Sequence, residues 1–203
     1  WGRVMSTVYR NQPYYLTAQR NGSIVGVLQL VWQKSLLFGS HLSSIPYADA
    51  AGVLADDDES QTALISAAAD LRSQLKADWV ELRHRDSVAS LPARTDKVTF
   101  RLALPPASEQ LFKQFKSKLR SQIRKAMKEQ FETECGGRLL DGFYHIYSRT
   151  MRDLGSPPHS LRFFQAMLDA FPDATRLFAV RLKGRTVAAS FTLADGQAVC
   201  VPW

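Results

Sequence analysis

The sequence predicts an α+β protein with mostly antiparallel sheets flanked by helices, arranged as two units. Three observations carry this. Asn21-Gly22 separates two β-rich runs, the strongest short-range hairpin signal. Leu104-Pro105-Pro106-Ala107 reads as a linker at the middle of the chain. The last third alternates strand-like runs with the turn signals Lys183-Gly184-Arg185 and Asp195-Gly196. The expected units are therefore 1–104 and 108–203, joined by 105–107.

Taken in order, the first unit opens with strands at Tyr14–Arg20 and Ser23–Trp32. A glycine- and serine-rich loop follows, from Phe38 to about Asp58. The acidic run Asp56-Asp57-Asp58-Glu59 suits a helix N-terminus. The helix should run from about Gln61 to Lys76, with Leu64, Ala67, Ala68, Leu71 and Leu75 inward. Trp79–His84 and Lys97–Leu104 alternate and read as strands.

In the second unit, Ser108 is positioned to cap one long helix. Phe131–Cys135 reads as a short strand closed by Gly136-Gly137. Leu139, Leu140, Phe143, Ile146, Tyr147, Met151 and Leu154 have helical spacing, with Gly155 as the stop. Ser160 caps a further helix that buries Phe163, Phe164, Met167, Leu168 and Phe171. A three-strand meander closes the unit at 176–182, 186–194 and 197–201.

Charge is concentrated. The 203 residues hold 26 Lys+Arg and 19 Asp+Glu, a net charge of +7. Lys113, Lys116, Lys118, Arg120, Arg124, Lys125 and Lys128 supply seven cations with no acid among them, so the rest of the chain nets to zero. On one helix, Lys113, Lys116, Arg120, Arg124 and Lys128 would form a stripe beside an apolar arc of Phe112, Phe115, Leu119, Ile123 and Ala126. Like charges at i, i+4 cost roughly 0.2–0.5 kcal/mol per pair. A stripe kept at that cost points to an anionic partner; the plain alternative is a solvated helix face.

Composition excludes several classes. Hydrophobic content of 45% is globular rather than disordered. No apolar run approaches the roughly 20 residues of a membrane span, and no signal peptide is visible. Cys135 and Cys200 are far apart, and the four histidines lack metal-ligand spacing, so a reduced, cytoplasmic protein without structural metal is expected. The chain starts on Trp1 and ends on the apolar run Val199–Trp203; both ends read as those of a piece of a longer protein. No nucleophile elbow or Ser-His-Asp order is evident. Cys135 and Cys200 read as plain thiols. Arg83, His84 and Arg85 read either as exposed charges at a strand end or as a cleft lining. His159 reads as a capping or surface residue, with a polar wall as the alternative.

A set of segments carries a family resemblance. They are Ile45–Leu54 (IPYADAAGVL), Val80–Arg85 (VELRHR), Lys118–Ala126 (KLRSQIRKA), Tyr144–Pro157 (YHIYSRTMRDLGSP) and Arg162–Leu168 (RFFQAML). In this order they resemble the Fem-type transferases, built from two GNAT-like domains, and more narrowly the FemAB-like branch associated with exosortase/PEP-CTERM systems. The resemblance implies two incomplete GNAT-like units and an N-acyl or aminoacyl transferase acting on an amine of a cell-envelope or exopolysaccharide precursor. It implies acyl-CoA or aminoacyl-tRNA as donor, no tightly bound cofactor and no metal. A phosphate-bearing or lipid-linked precursor is the implied partner, with tRNA and a second copy of the chain as further ones, in the cytoplasm or at the inner face of the membrane. Lys116, Arg120, Arg124 and Lys128 would then bind the anionic ligand with Tyr47, and Asp49 is the candidate base. Locally, Asp49 could equally satisfy loop N–H groups, with Tyr47 as packing. The competing class is a non-catalytic basic module or scaffold that binds nucleic acid or an anionic polymer.

Overall fold

Asn21 and Gly22 adopt φ of 51° and 81°, the paired positive values that a two-residue hairpin turn needs and that these two residue types tolerate best. In this computed structural model, which describes residues 1–37, 39–85, 88, 91–94, 96 and 98–203, they join β1 (Gln12–Arg20) to β2 (Ser23–Ser35). The ladder runs from Gln12↔Trp32 to Arg20↔Ser23, with a bulge at Ala18/Gln19. The chain divides into two units, Trp1–Lys97 and Val98–Trp203.

The first unit begins with α1 (Gly2–Tyr9), which buries Val4 and Met5 and stops at Arg10 in the left-handed region. Its sheet continues with β3 (Gly39–Ser43), β4 (Leu54–Ala55) and β5 (Trp79–Glu81). The order is β1-β2-β3-β5, with β4 on β2. β3 runs antiparallel to β2 and parallel to β5. The expected loop from Phe38 to Asp58 is thus corrected. Phe38 itself lies outside the described residues, but Gly39–Ser43 is a central strand. It offers a single apolar residue, Leu42, which is fully buried, so alternation gave no strand signal there.

Alternation sorts the sheet's two faces. Leu28, Leu30 and Leu42 face α2 (Asp58–Gln74) and form the core with its Leu64 and Ala68. Gly26 lies beneath that helix, where an added Cβ would sit 2.9 Å from Leu64. The helix starts earlier than expected because Asp57 caps it, accepting from the Ser60 N–H at 2.8 Å. The opposite face carries Gln29, Val31, Gln33, His41, Ser43, Trp79 and Glu81. Expected strand 97–104 is not one: Val98–Leu104 has no regular structure and is exposed, and Lys97 lies outside the described residues.

The second unit holds α3 (Ser108–Gln114), α4 (Ser117–Met127), β6 (Phe131–Cys135), α5 (Leu140–Asp153), α6 (Leu161–Ala170), β7 (Thr175–Leu182), β8 (Arg185–Ala194) and β9 (Val199–Cys200). The sheet is antiparallel throughout, in the order β6-β7-β8-β9. Against it pack Phe143, Phe163, Phe164, Met167, Leu177 and Phe191, all buried. Phe164 meets Phe143 edge-on at 4.9 Å and Trp203 at 5.4 Å, the geometry that aromatic quadrupoles favour. Ser160 caps α6 by accepting from the Phe163 N–H. His159 is not a surface group: it sits half-buried among Phe163, Phe164 and Trp203, and its N–H donates to the Tyr147 hydroxyl at 3.0 Å.

The expected long helix is two. Phe115 (ψ 146°) and Lys116 (ψ 149°) are extended and break it. Ser108 is the first helical residue rather than the cap, which is Ala107 without a side-chain bond. The expected inward arc is also corrected: α4 buries no residue, Leu119 is 42% exposed, and Ala126 is exposed.

Asp57 links stability of the first unit to pH. Arg20 donates to it at 2.7 Å, and with the Ser60 N–H holds its carboxyl down to about 2 from the ordinary 3.8. A depressed folded-state pKa means the contribution is complete above 3.8 and is lost as pH falls towards 2. Asp57→Ala should therefore lower Tm at neutral pH, and its difference from wild type should narrow steadily as pH falls from about 3.8 through about 2. Thermal melts followed by circular dichroism across that range check it.

Candidate functional site

β3 and β5 are parallel, so both chains leave the sheet at the same end. There the segment after β5 is tied to the 44–52 loop. The Ser44 N–H donates to the Glu81 carbonyl at 2.9 Å, and the Arg83 N–H donates to the Ser44 hydroxyl at 2.8 Å. The Ala51 N–H donates to the Arg83 carbonyl at 2.7 Å. The Arg83 guanidinium reaches the Ala48 carbonyl at 2.9 Å and the Glu81 carboxylate at 2.7 Å. Backbone and side chain of one arginine thus pin the loop at both ends.

Within that frame the loop is strained. Ile45 and Tyr47 have φ of 46° and 67°. A positive φ costs on the order of 1–3 kcal/mol for a non-glycine residue and is least tolerated by a β-branched one. The conformation persists because Pro46 between them is buried and its carbonyl accepts from the Trp1 indole at 2.9 Å. The result aims Tyr47 back over the sheet's second face. Its ring lies 5.6 Å from Tyr9, it hydrogen-bonds Gln33, and burial raises its pKa. Asp49 stands exposed on the outer turn of the loop.

The same face holds polar groups that sequence reasoning missed. His41 stacks on Trp79 at 4.8 Å with 6° between the planes. Its Nδ1, the Ser43 hydroxyl and the Gln29 amide nitrogen are buried without a hydrogen-bond partner among the described residues. Burial lowers the pKa of His41 and of His84, favouring neutral imidazole in both. His84 Nε2 is likewise buried and unpartnered, and the ring lies directly on Gly52. Of the trio read as strand-end charges or cleft lining, Arg83 and His84 are half-buried and Arg85 is exposed. Gln33, His41 and Ser43 were legible only once β3 was known to be a strand.

In the second unit, the break between α3 and α4 distributes the cationic stripe. Lys113 belongs to α3, Lys116 precedes α4, Arg120 and Arg124 lie within it, and Lys128 caps its end. Arg120 is half-buried; Lys116, Arg124 and Lys128 are exposed. The Arg124 guanidinium lies 5.4 Å from the Phe112 ring centre, a cation–π arrangement across the break. None of the seven cations between Lys113 and Lys128 forms an ion pair among the described residues. Arg124, Lys125 and Lys128 at the C-terminal end of α4 complement its dipole; Lys116 and Lys118 at its N-terminal end do not.

This architecture has known counterparts. Residues 113–203 match a family model described as an acetyltransferase (GNAT) domain. The solved structure of FemX superposes with a TM-score of 0.57 at 18% sequence identity, over 90% of this chain and 51% of that one. The fold is GNAT-like. At that identity the likeness establishes the fold alone, and the chain spans about half the length of FemX. No curated protein matches the chain. Among the described residues no cluster of His, Cys, Asp or Glu could hold a metal ion, and no helix is long and apolar enough to cross a membrane.

The Gly52–His84 approach is testable. A Cβ at Gly52 would lie 2.6 Å from the imidazole. Gly52→Ala should destabilise by about 1–3 kcal/mol through overpacking. Adding His84→Ala should recover most of that loss, a favourable coupling that a urea double-mutant cycle reads directly.

Proposed function

We propose that this chain is part of an N-acyl or aminoacyl transferase of the Fem type, acting on an amine of a cell-envelope or exopolysaccharide precursor. The observation that carries the reading is the match of 113–203 to an acetyltransferase (GNAT) domain within a FemX-like fold. The finer assignment to the exosortase/PEP-CTERM branch rests on the sequence segments quoted above.

In this reading the acceptor amine attacks the acyl carbon of the donor. A C–N bond forms, and the ester bond of an aminoacyl-tRNA or the thioester of an acyl-CoA breaks. The amine's proton passes to a base and finally to the departing hydroxyl or thiol. Asp49 is the proposed base, and the exposed position of its carboxylate on a backbone-pinned loop supports it. Tyr47, a phenol that stays protonated at neutral pH and that burial moves further from ionisation, donates a hydrogen bond to the acceptor. Lys116, Arg120, Arg124 and Lys128, unpaired by acids, hold the phosphates of donor or precursor. A non-catalytic basic module or scaffold that binds nucleic acid or an anionic polymer is the competing reading, and the exposure of α4 is what favours it.

Calorimetry with acyl-CoA, a UDP-sugar and tRNA at two salt concentrations tests the reading. The expected result is saturable binding of one phosphate-bearing ligand that weakens with salt. Arg120→Glu with Arg124→Glu should weaken it at least tenfold with an unchanged far-UV spectrum; unchanged affinity overturns the phosphate role. Once a turnover assay exists, Asp49→Asn should cost roughly a hundredfold or more in kcat. Wild-type turnover in that variant removes Asp49 as base.

A further inference from the structure

Helix α4 contributes no fully buried residue to the core; only Arg120 and Ile123 are half-buried. Its sequence is nonetheless strongly two-sided. At about 100° per residue, Leu119, Ile123, Ala126 and Met127 share an arc of about 100°. Lys118, Arg120, Arg124, Lys125 and Lys128 occupy the rest, apart from Ser117, Ser121 and Gln122. Leu119 is 42% exposed and Met127 76% exposed, and Phe131 just beyond the helix is 37% exposed. No acid occurs between Glu109 and Glu129.

Cations alone would fit any polyphosphate. The apolar residues beside them discriminate. A nucleic-acid backbone takes up Lys and Arg but leaves Leu119 and Met127 in water. An anionic bilayer surface satisfies both at once. The apolar arc enters the boundary between headgroups and acyl chains, and the long basic side chains reach up to the lipid phosphates.

We propose that α4 is a peripheral membrane-docking helix that lies in the plane of an anionic bilayer. It inserts Leu119 and Met127, the exposed members of the apolar arc, and pairs Lys118, Arg120, Arg124 and Lys125 with lipid phosphates. This rests on reading the cationic stripe as phosphate-binding and deepens it: the phosphates belong to the membrane in which a lipid-linked precursor would be embedded. One helix of about 16 Å gives reversible, salt-sensitive attachment rather than a stable anchor.

Co-sedimentation of the full chain with vesicles tests this. One set is phosphatidylcholine alone, the other an equal mixture of phosphatidylcholine and phosphatidylglycerol. The expected result is binding to the anionic set, weak binding to the neutral one, and release by salt. Neutralising Arg120 and Arg124 as Arg120→Gln and Arg124→Gln should weaken vesicle binding by about fivefold per residue. Leu119→Ser with Met127→Ser should weaken it about tenfold, while leaving unchanged any calorimetric affinity for soluble phosphate ligands. That last comparison separates the two readings: loss of soluble-ligand binding only in the arginine variant supports phosphate binding whatever the vesicles do. Equal binding to both vesicle sets overturns the membrane proposal. So does vesicle binding that ignores the Leu119/Met127 pair, and so does tighter binding to RNA that ignores the same pair. Since Leu119, Arg124 and Met127 are exposed and Arg120 is only half-buried, the variants should fold, which far-UV circular dichroism checks. If either pair fails to fold, the wild-type contrast between the two vesicle sets decides alone.

Discussion

The parallel pairing of β3 with β5 is the constraint on which the first unit depends. It spans three residue pairs, His41↔Trp79, Leu42↔Val80 and Ser43↔Glu81, and it sets three things together. It buries Leu42 against α2. It places His41, Ser43 and Glu81 on the opposite face. It also makes the chain leave β3 and β5 at the same end, so that Arg83 can reach the loop carrying Tyr47 and Asp49. A one-residue slip would exchange the two faces, putting an imidazole and a carboxylate into the leucine core. Register here is therefore enforced by keeping Leu42 in the leucine layer and the ionisable groups out of it. The positive φ values at Ile45 and Tyr47 are tolerated because hydrogen bonds from Arg83, Ala51 and Trp1 over-determine the loop.

The second unit is organised differently. Its aromatic residues from α5 and α6 interlock edge to face, Phe191 of β8 meets them tilted, and the His159 N–H to Tyr147 hydroxyl bond ties the cluster's edge. The polar groups that are buried there, Thr175 and Thr192, each donate to a backbone carbonyl. Helices α3 and α4 add no fully buried residue to this core. The cations of α4 are left without acidic partners among the described residues, which is what the proposed ligand and membrane roles use.

How much was legible follows from which physical signals are local. The Asn21-Gly22 hairpin, the Ser160 cap, the Gly155 stop and the 175–200 meander all depend on residue-level conformational preference, and the structure has each of them. β3 was hidden because its identity comes from neighbours: a strand with one apolar residue is recognised by what it pairs with, not by its own pattern. The α3–α4 break was hidden because Phe115 and Lys116 carry no proline or glycine to mark it. Val98, Phe100, Leu102 and Leu104 alternate as a strand would, yet no partner strand meets them among the described residues, and pattern without pairing made no strand. Of the candidate site, Tyr47 and Asp49 were readable from a small-residue loop. Gln33, His41 and Ser43 were not, since their convergence exists only through the sheet.

The charge distribution bears on range. With the net +7 held by one sixteen-residue segment and the remainder neutral, the protein presents a local field. At physiological ionic strength that field decays over about 8 Å, roughly half the length of α4. Long-range steering is therefore weak, and the cations act on what is already in contact. A small phosphate-bearing ligand is held only by the few cations that it touches on that helix face. For an extended anionic plane the same geometry serves well: exposed cations along α4 meet phosphates side by side, and each gain adds to the next without needing a pocket. The exposed apolar arc then supplies the term that salt does not screen. An extended partner is thus the one for which both the charge and the exposure of this helix are useful.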